Sequence, residues 1–393
     1  MRFQRILLAS IGALLFTAVF SINGRAETIF GIQTTSSTGD TVTALVRFDS
    51  ATPGTITTIG PMTTGLVAGH TVRSIDFRPS NGLLYAVSSN GTACQLYSVS
   101  TTTSQLFPIG GGFTLPFADA NNRVEMDFNP VIDAIRILTG ANLDGSSNPV
   151  VNNFTLNPNT GALTNQTPLN YVPGDPNAGL ANMELAAAAY TNPSAGATTL
   201  YGWDWSVDSI VRIGSLGGTP DSPNTGRMTT VRNGGFLTSS NGRGIGMDYG
   251  PSGTLYITKD NAANTNMGLY TYVPETGLGV NPVLVGNYGI FISDISVQRP
   301  PTAAGVTLSG RVATGPEGRG IINTVVTITD SNGVARNTVT GKGGRYEFGD
   351  LETGQTYIVS VRSRTYNFSP RVVQILDNLT EVDLFADSPQ SRQ

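Results

Sequence analysis

The chain has 393 residues, of which 13% are charged, and its formal net charge is −4. This net charge and a pI of about 5.1 give no basic face for a nucleic acid. Only two of the 23 basic residues, Lys259 and Lys342, are lysines, so no polybasic segment for an anionic membrane is expected either. Glycine (47 residues) and proline (22 residues) are frequent, which is typical of an all-β protein with many short turns.

Residues 1–26 have the pattern of a secretory signal peptide. Arg2 and Arg5 form a short basic region, an apolar run extends from Ile6 to Phe20, and Gly24-Arg25-Ala26 places small residues at the −3 and −1 positions of a cleavage site. The run of about 15 residues is shorter than the ~20 that a transmembrane helix needs. We therefore expect a secreted, periplasmic or cell-surface protein that is cleaved near Ala26 and whose mature form has no transmembrane segment.

A strand–turn–strand phrase recurs along the chain and defines its organisation. Each copy has an apolar–Asp–aromatic core, then a turn rich in Asn, Gly and Pro, then a second apolar strand. The copies start at Ile75-Asp76-Phe77, Met126-Asp127-Phe128 and Met247-Asp248-Tyr249, with a degenerate copy at Ala188-Ala189-Tyr190. They repeat about every 50–60 residues with room for four strands each, which indicates the blades of a β-propeller.

The two ends of this region predict how the blades close. After the signal peptide come three strands, near 28–32, 44–49 and 55–60, that lack a first strand, and 292–297 is a first strand with nothing after it. Pairing the two would complete one blade from both ends and remove an exposed sheet edge. We predict a five-bladed β-propeller over residues 27–298. Six or seven blades, a β-sandwich and a solenoid are the alternatives.

A different pattern follows a short linker. Residues 299–305 contain Pro300 and Pro301, which block strand pairing and favour an extended spacer. Residues 306–386 then hold seven short strands separated by turns, among them the hairpin turn Asp330-Ser331-Asn332-Gly333. We predict a small seven-stranded β-sandwich here and a loose tail over residues 387–393.

The repeated phrases resemble a known family. Residues 75–86, 126–137, 186–192 and 268–272 are similar to secreted bacterial proteins that share domain of unknown function 4394, and the resemblance covers roughly residues 28–298. It implies a secreted, propeller-like domain. It implies no catalytic residues, because none are known for the family.

The second region resembles the carboxypeptidase regulatory-like domain. The similar segments are Leu308–Val312, Gly320–Val326, Thr340–Phe348 and Leu351–Tyr357, within residues 306–386. The resemblance implies a transthyretin-like fold, related to the Cna-B-type stalk modules of surface adhesins and to carbohydrate-binding-like sandwiches. It implies no peptidase activity.

Four aspartates are the main site candidates, because they are expected at the same place in the first strand of four of the five blades. They are Asp76, Asp127, Asp248 and Asp294. Alternation along a strand turns each away from the residue that follows it, so each faces the central channel or a neighbouring turn. Several carboxylates around one axis could bind Ca²⁺, which prefers oxygen ligands. The repeat favours a structural role, in which each Asp makes the same supporting hydrogen bond.

Three other residue types have weaker signals. Trp203 and Trp205 are candidate ligand-binding residues because exposed indole rings stack on sugars, although a place in the core between blades fits them better. His70 is the only histidine, which excludes a histidine zinc site and makes a Ser-His-Asp triad depend on one loop residue. Cys94 is the only cysteine, so it cannot form an internal disulfide and is expected to be buried.

These features favour an exported protein without catalytic residues. We expect a monomeric propeller platform that binds a carbohydrate or protein ligand at the cell surface, with the small sandwich as spacer or accessory module. We expect no cofactor, and Ca²⁺ is the one candidate. The alternative is an extracellular polysaccharide hydrolase or lyase that uses channel-facing Asp residues, and a third is a purely structural surface protein. An enzyme needs the Asp side chains to converge in an open pocket, whereas supports point into blade turns.

Overall fold

The computed structural model describes residues 26–35, 41–116, 123–139, 151–180, 183–192, 196–232, 245–260, 265–276, 278–299, 306–330, 335–351, 356–375 and 377–389. These residues form thirty β-strands and four single-turn 3₁₀ segments, with no α-helix among them. Within the same ranges, no helical segment is long and apolar enough to cross a membrane.

Twenty-one strands precede the linker. They are β1 (Thr28–Thr34), β2 (Val42–Asp49), β3 (Thr57–Gly60), β4 (Thr71–Phe77), β5 (Leu84–Ser89), β6 (Ala93–Val99), β7 (Leu106–Thr114), β8 (Val124–Asn129), β9 (Ala134–Thr139), β10 (Asn153–Leu156), β11 (Leu163–Asn165), β12 (Asn170–Tyr171), β13 (Leu185–Tyr190), β14 (Leu200–Asp204), β15 (Ser209–Ile213), β16 (Arg227–Arg232), β17 (Ile245–Tyr249), β18 (Leu255–Asp260), β19 (Met267–Val273), β20 (Leu278–Val285) and β21 (Phe291–Val297).

These strands form five sheets, which we number from the N-terminus. Sheet 1 has the strand order β21-β1-β2-β3, sheet 2 is β4 to β7, sheet 3 is β8 to β11, sheet 4 is β13 to β16 and sheet 5 is β17 to β20. All are antiparallel, except that the short β12 joins sheet 4 parallel to β16. We call β21, β4, β8, β13 and β17 the inner strands, because each of them contacts the inner strands of two other sheets.

The two ends of this region share sheet 1. Strand β21 pairs antiparallel with β1, and the register places Ile29 opposite Val297 and Ile32 opposite Asp294. The pairing predicted between the N-terminal strands and residues 292–297 is therefore confirmed. It gives β1 a partner on both edges, because its other edge pairs with β2.

A separate apolar core lies between each sheet and the next. Five residues from equivalent places in the inner strands each lie in a different core, and they are Phe77, Phe128, Tyr190, Tyr249 and Val297. Since every sheet packs against two neighbours, strands such as β5 and β13 are buried at all six residues rather than at alternate ones. The result is an all-β, propeller-like arrangement.

Nine strands follow the linker. They are β22 (Val306–Ala313), β23 (Val325–Thr329), β24 (Ala335–Val339), β25 (Arg345–Leu351), β26 (Thr356–Arg362), β27 (Tyr366–Asn367), β28 (Arg371–Gln374), β29 (Leu384–Phe385) and β30 (Ser388–Pro389). The sheets β25-β22-β29 and β24-β23-β26-β28 contain the seven predicted strands and share one apolar core.

Residues 387–389, the described part of the predicted loose tail, pair with an earlier segment of the chain. Strand β30 pairs with β27, so that Ser388 lies opposite Asn367 and Pro389 opposite Tyr366. The Asp387 N–H also donates to the Asn367 carbonyl at 2.9 Å. The sequence did not indicate this pairing, because two strands of two residues each are too short to show an alternating pattern.

Candidate functional site

Three of the four predicted aspartates converge between the inner strands. One carboxylate oxygen each from Asp76, Asp127 and Asp248 lies within 4.8 Å of the other two. Their exposed fractions are 4%, 4% and 2%. We call these three residues the carboxylate ring.

Each ring carboxylate accepts a backbone N–H from the next inner strand. Asp76 Oδ2 accepts from Phe128 N at 2.7 Å, and Asp127 Oδ1 accepts from Tyr190 N at 2.9 Å. Asp248 Oδ2 accepts from Val297 N at 2.6 Å. The supporting hydrogen bond therefore recurs, as the repeat suggested, but it reaches the neighbouring inner strand and not a blade turn.

Asp294 is not a member of the ring, which corrects the sequence alignment. The equivalent position belongs to Ser296, whose Oγ accepts from Phe77 N at 3.0 Å. Asp294 lies two residues earlier, and its Oδ2 accepts from Ile75 N at 2.8 Å and from Ser74 Oγ at 2.7 Å. A shift of two residues keeps the same strand face. The side chain of Asp294 therefore points toward the neighbouring inner strand, as predicted, but it lies two residues along the strand from the ring. The triplet Ile295-Ser296-Val297, aligned on its apolar residues, would have shown this.

Asp294 belongs to a second level of polar groups on the inner strands. Ser74 Oγ accepts from Met126 N at 3.0 Å, so it links sheets 2 and 3 as Asp76 does one level away. Glu125 occupies the matching position in sheet 3, is buried, and lies 3.7 Å from Arg123 Nη1. The sequence did not single out Ser74 or Glu125, because serine and glutamate do not repeat visibly in the phrase.

The ring has a gap in sheet 4, where Ala189 stands at the aspartate position. Arg299 and Asn192 lie at the same junction. Arg299 donates to Asn192 Oδ1 and to the Tyr249 carbonyl, and its Nη2 lies 3.5 Å from Asp248 Oδ1. Asn192 Nδ2 donates to the Gly250 carbonyl at 2.8 Å. The sequence placed Arg299 in the linker and gave it no role.

Burial raises the pKa of every carboxyl in the ring. For Asp76 and Asp127, burial is the largest cause, the charges of ring neighbours raise the pKa further, and both pKa values lie well above the usual range. Burial also raises the pKa of Asp248, opposed by the nearby Arg299 guanidinium. Burial lowers the pKa of Arg299, but the carboxylates of Asp248, Asp76 and Asp127 outweigh it, and the net direction is up. The Arg299 guanidinium thus opposes the negative charge of the ring.

The two tryptophans occupy different elements. Trp203 lies in β14, fully buried in the core between sheets 4 and 5, with Lys259 Nζ 5.4 Å from its ring centroid. Trp205 begins the 3₁₀ turn Trp205–Val207 and packs, half-buried, against the same core. The structure therefore places the Trp203 ring in the core and leaves only part of Trp205 open to solvent.

The remaining candidates have structural surroundings. His70 Nδ1 lies 2.9 Å from Ser88 Oγ, and Ser88 is fully buried with its hydroxyl also bonded to Tyr97 Oη. Burial lowers the pKa of His70. Cys94 is buried, as expected, and burial raises the pKa of its thiol to about 12. A thiol with this pKa is not nucleophilic at neutral pH.

The fold and the ring define an all-β, propeller-like protein whose central carboxylates are hydrogen-bonded by its own backbone. A family model described as domain of unknown function (DUF4394) matches residues 44–285. The match covers more than half of the chain, and the protein belongs to this family.

Several solved structures are similar at low sequence identity. The periplasmic gluconolactonase PpgL of Pseudomonas aeruginosa is 13% identical with a TM-score of 0.33, over 91% of this chain and 98% of that chain. An exo-β-1,3-galactanase of Phanerochaete chrysosporium is 11% identical with a TM-score of 0.39, over 88% and 92%. A nidogen/laminin complex chain is 8% identical with a TM-score of 0.39, over 70% and 98%. No curated protein matches the sequence.

Proposed function

We propose that residues 27–298 form a closed five-bladed propeller that serves as the non-catalytic binding platform of an exported protein. The observation that carries this proposal is the use of the ring carboxylates: each accepts a backbone N–H from the next inner strand and is almost fully buried. A glycosidase needs two carboxyl groups that reach the scissile bond, one as acid and one as base or nucleophile. Carboxylates that accept backbone N–H groups between strands are not free to act as acid, base or nucleophile.

Closure of the five sheets is supported by packing on both sides of sheet 1. Its inner strand contacts β4 of sheet 2 and β17 of sheet 5, and apolar cores lie on both sides of the sheet. A closed ring leaves no inner strand with an uncovered face.

Residues 306–386 form the accessory module of the proposed protein. Two sheets that share one core are compatible with the carboxypeptidase regulatory-like fold. We propose that this module is a spacer or an additional carbohydrate-binding surface.

Export follows from the signal-peptide pattern of residues 1–26, and Glu27 would be the first residue of the mature chain. Its carboxylate accepts from Ser252 N at 2.8 Å and joins sheets 1 and 5. Intact-mass measurement of the protein recovered from the periplasm, cell surface or medium of an expressing bacterium tests this. A mass that starts at Glu27 supports export, and a mass that retains Met1 contradicts it.

The platform function is tested by electrophoresis of the mature protein through gels that contain soluble polysaccharides, together with an assay for new reducing ends. Retardation in at least one gel without release of reducing ends supports the proposal. Release of reducing ends that is lost in Asp127→Asn would establish the hydrolase alternative instead. Neither effect, together with no protein partner in a cell-surface crosslinking experiment, would leave the purely structural role.

A further inference from the structure

The junction between sheets 4 and 5 lacks the contact that every other junction has. At the other four junctions, Ser296, Asp76, Asp127 or Asp248 accepts an N–H from the next inner strand. Ala189 has no side-chain acceptor, so this junction needs a different connection.

Arg299 and Asn192 supply that connection. Asn192 follows β13 and donates to the Gly250 carbonyl just after β17, which joins the ends of the two inner strands. Arg299 follows β21 and donates to Asn192 Oδ1 and to the Tyr249 carbonyl. A residue from beyond sheet 1 therefore closes the one junction that the repeat leaves open.

The charge of Arg299 is as important as its hydrogen bonds. Its Nη2 lies 3.5 Å from Asp248 Oδ1, and Asp248 is within 4.8 Å of the other ring carboxylates. Its side chain is 11% exposed, so water solvates it poorly. Buried carboxylates at this separation repel one another, and a nearby cation relieves that repulsion. A guanidinium can also hydrogen-bond several acceptors at once.

We infer that Arg299 is the built-in cation of the carboxylate ring, and that it takes the place a divalent metal ion would otherwise occupy. The inference deepens the proposed function, because it rests on the structural role of the ring. First, the native protein has no need of Ca²⁺. Second, removal of the guanidinium leaves a site rich in oxygen atoms, among them the Asp248 Oδ1 that Arg299 contacts, and this site accepts a hard divalent cation.

The experiment measures the thermal midpoint of the full mature chain in EDTA and in excess CaCl₂. The wild-type midpoint is expected to be the same in both. Arg299→Met should lower the midpoint in EDTA by roughly 5–10 °C, because a buried charge cluster loses its partner. Excess Ca²⁺ should restore roughly 5 °C of that loss in the Met variant. The double variant Arg299→Met with Asp248→Asn should not respond to Ca²⁺.

Arg78→Met is the matched control. Arg78 makes a bidentate pair with Asp133 across sheets 2 and 3, at 2.9 and 2.5 Å, but Asp133 is a single carboxylate outside the ring. Loss of the Arg78 guanidinium should lower the thermal midpoint without any response to Ca²⁺. A Ca²⁺ response here would mean that the ion acts elsewhere on the protein, and would overturn the inference.

Arg299→Lys decides the outcome if Arg299→Met does not fold. Lysine keeps the positive charge but not the several N–H donors of the guanidinium. This variant should therefore fold, lose less of the thermal midpoint than the Met variant and show no response to Ca²⁺. If Arg299→Lys also does not fold, Arg299 acts through its hydrogen bonds and not through its charge. A Ca²⁺ response of the wild type would show that the metal and not Arg299 occupies the ring. Either result overturns the inference and leaves the polysaccharide test of the platform untouched.

Discussion

Asp127 shows how one buried carboxylate can support a fold at an electrostatic cost. Its Oδ1 accepts from Tyr190 N, which stabilises the junction between sheets 3 and 4. Burial and the charges of the nearby Asp76 and Asp248 disfavour its ionised form, and they therefore raise its pKa. The hydrogen bond and the charge can be separated by two substitutions.

Asp127→Ala should lower the free energy of unfolding by about 1–3 kcal/mol, because the buried Tyr190 N–H loses its acceptor. Asp127→Asn keeps an acceptor oxygen and removes a charge, so its stability at pH 8 should equal or exceed that of the wild type. Urea unfolding measures both. Equal losses in the two variants would contradict the supporting role and indicate that the charge itself is needed.

Asp260 gives the clearest pH dependence. It is 1% exposed, and burial raises its pKa to about 6, opposed by the nearby charges of Lys259 and Arg123. The folded state then binds the proton more tightly than the unfolded state, so this contribution to stability is complete below the usual carboxyl pKa and is lost as pH rises through about 6.

Asp260→Asn should therefore stabilise the protein at pH 8 and have little effect at pH 4. We expect a gain of about 1 kcal/mol at pH 8, because asparagine removes the charge that burial disfavours. Urea unfolding of both proteins at the two pH values is the measurement. A variant that is less stable at pH 8 would mean that Asp260 binds a partner when ionised.

The inner strands are the elements on which the arrangement depends, and β17 and β21 approach each other closely at Gly246. A Cβ atom on Gly246 would lie 2.5 Å from Ile295 N and 2.8 Å from the Asp294 carbonyl carbon. Both are backbone atoms, which cannot rotate away. Glycine is therefore required here by the distance between two strands.

Gly246→Ala should cost about 3 kcal/mol or more, at or above the upper end of overpacking effects. Gly111→Ala, in β7, is the control, since nothing lies within 4 Å of its added Cβ. Thermal unfolding of the two variants should give a much lower midpoint for the first and an unchanged midpoint for the second. Similar midpoints would show that β17 and β21 can separate without cost.

At the scale of the whole molecule, the last strand of the propeller-like region completes its first sheet. Strand β21 supplies the inner strand of sheet 1 and also the polar groups Asp294 and Ser296, which bond to sheet 2. Without it, β1 has an open edge, and open edges pair with other chains.

A mature chain that ends at residue 290 should aggregate or lose its cooperative transition, whereas one that ends at residue 299 should unfold cooperatively. The second keeps β21 and Arg299 and lacks only the linker and the accessory module. Size-exclusion chromatography and thermal unfolding compare the two. A chain ending at 290 that is monomeric and equally stable would contradict the proposed closure.

The sequence by itself determined most of the strands and their grouping into sheets. Alternating apolar residues and turns rich in Gly, Asn and Pro are local signals, so they predicted the all-β class, the change of pattern near residue 299 and the seven strands beyond it. The repeat also predicted that β21 would pair with β1, because an incomplete unit at each end leaves one strand unpaired. The three ring aspartates were found for the same reason.

Only the tertiary structure decided how polar groups meet between sheets. Ser296 bonds to Phe77, 219 residues away in sequence, and such a contact depends on the level at which two inner strands lie beside each other. Asp294 was aligned two residues away from its true equivalent because the aspartates themselves were matched, and not the apolar residues on either side of Ser296. Arg299 was hidden for a different reason: it lies outside every repeat, and its role exists only where Ala189 leaves the junction between two sheets without an acceptor.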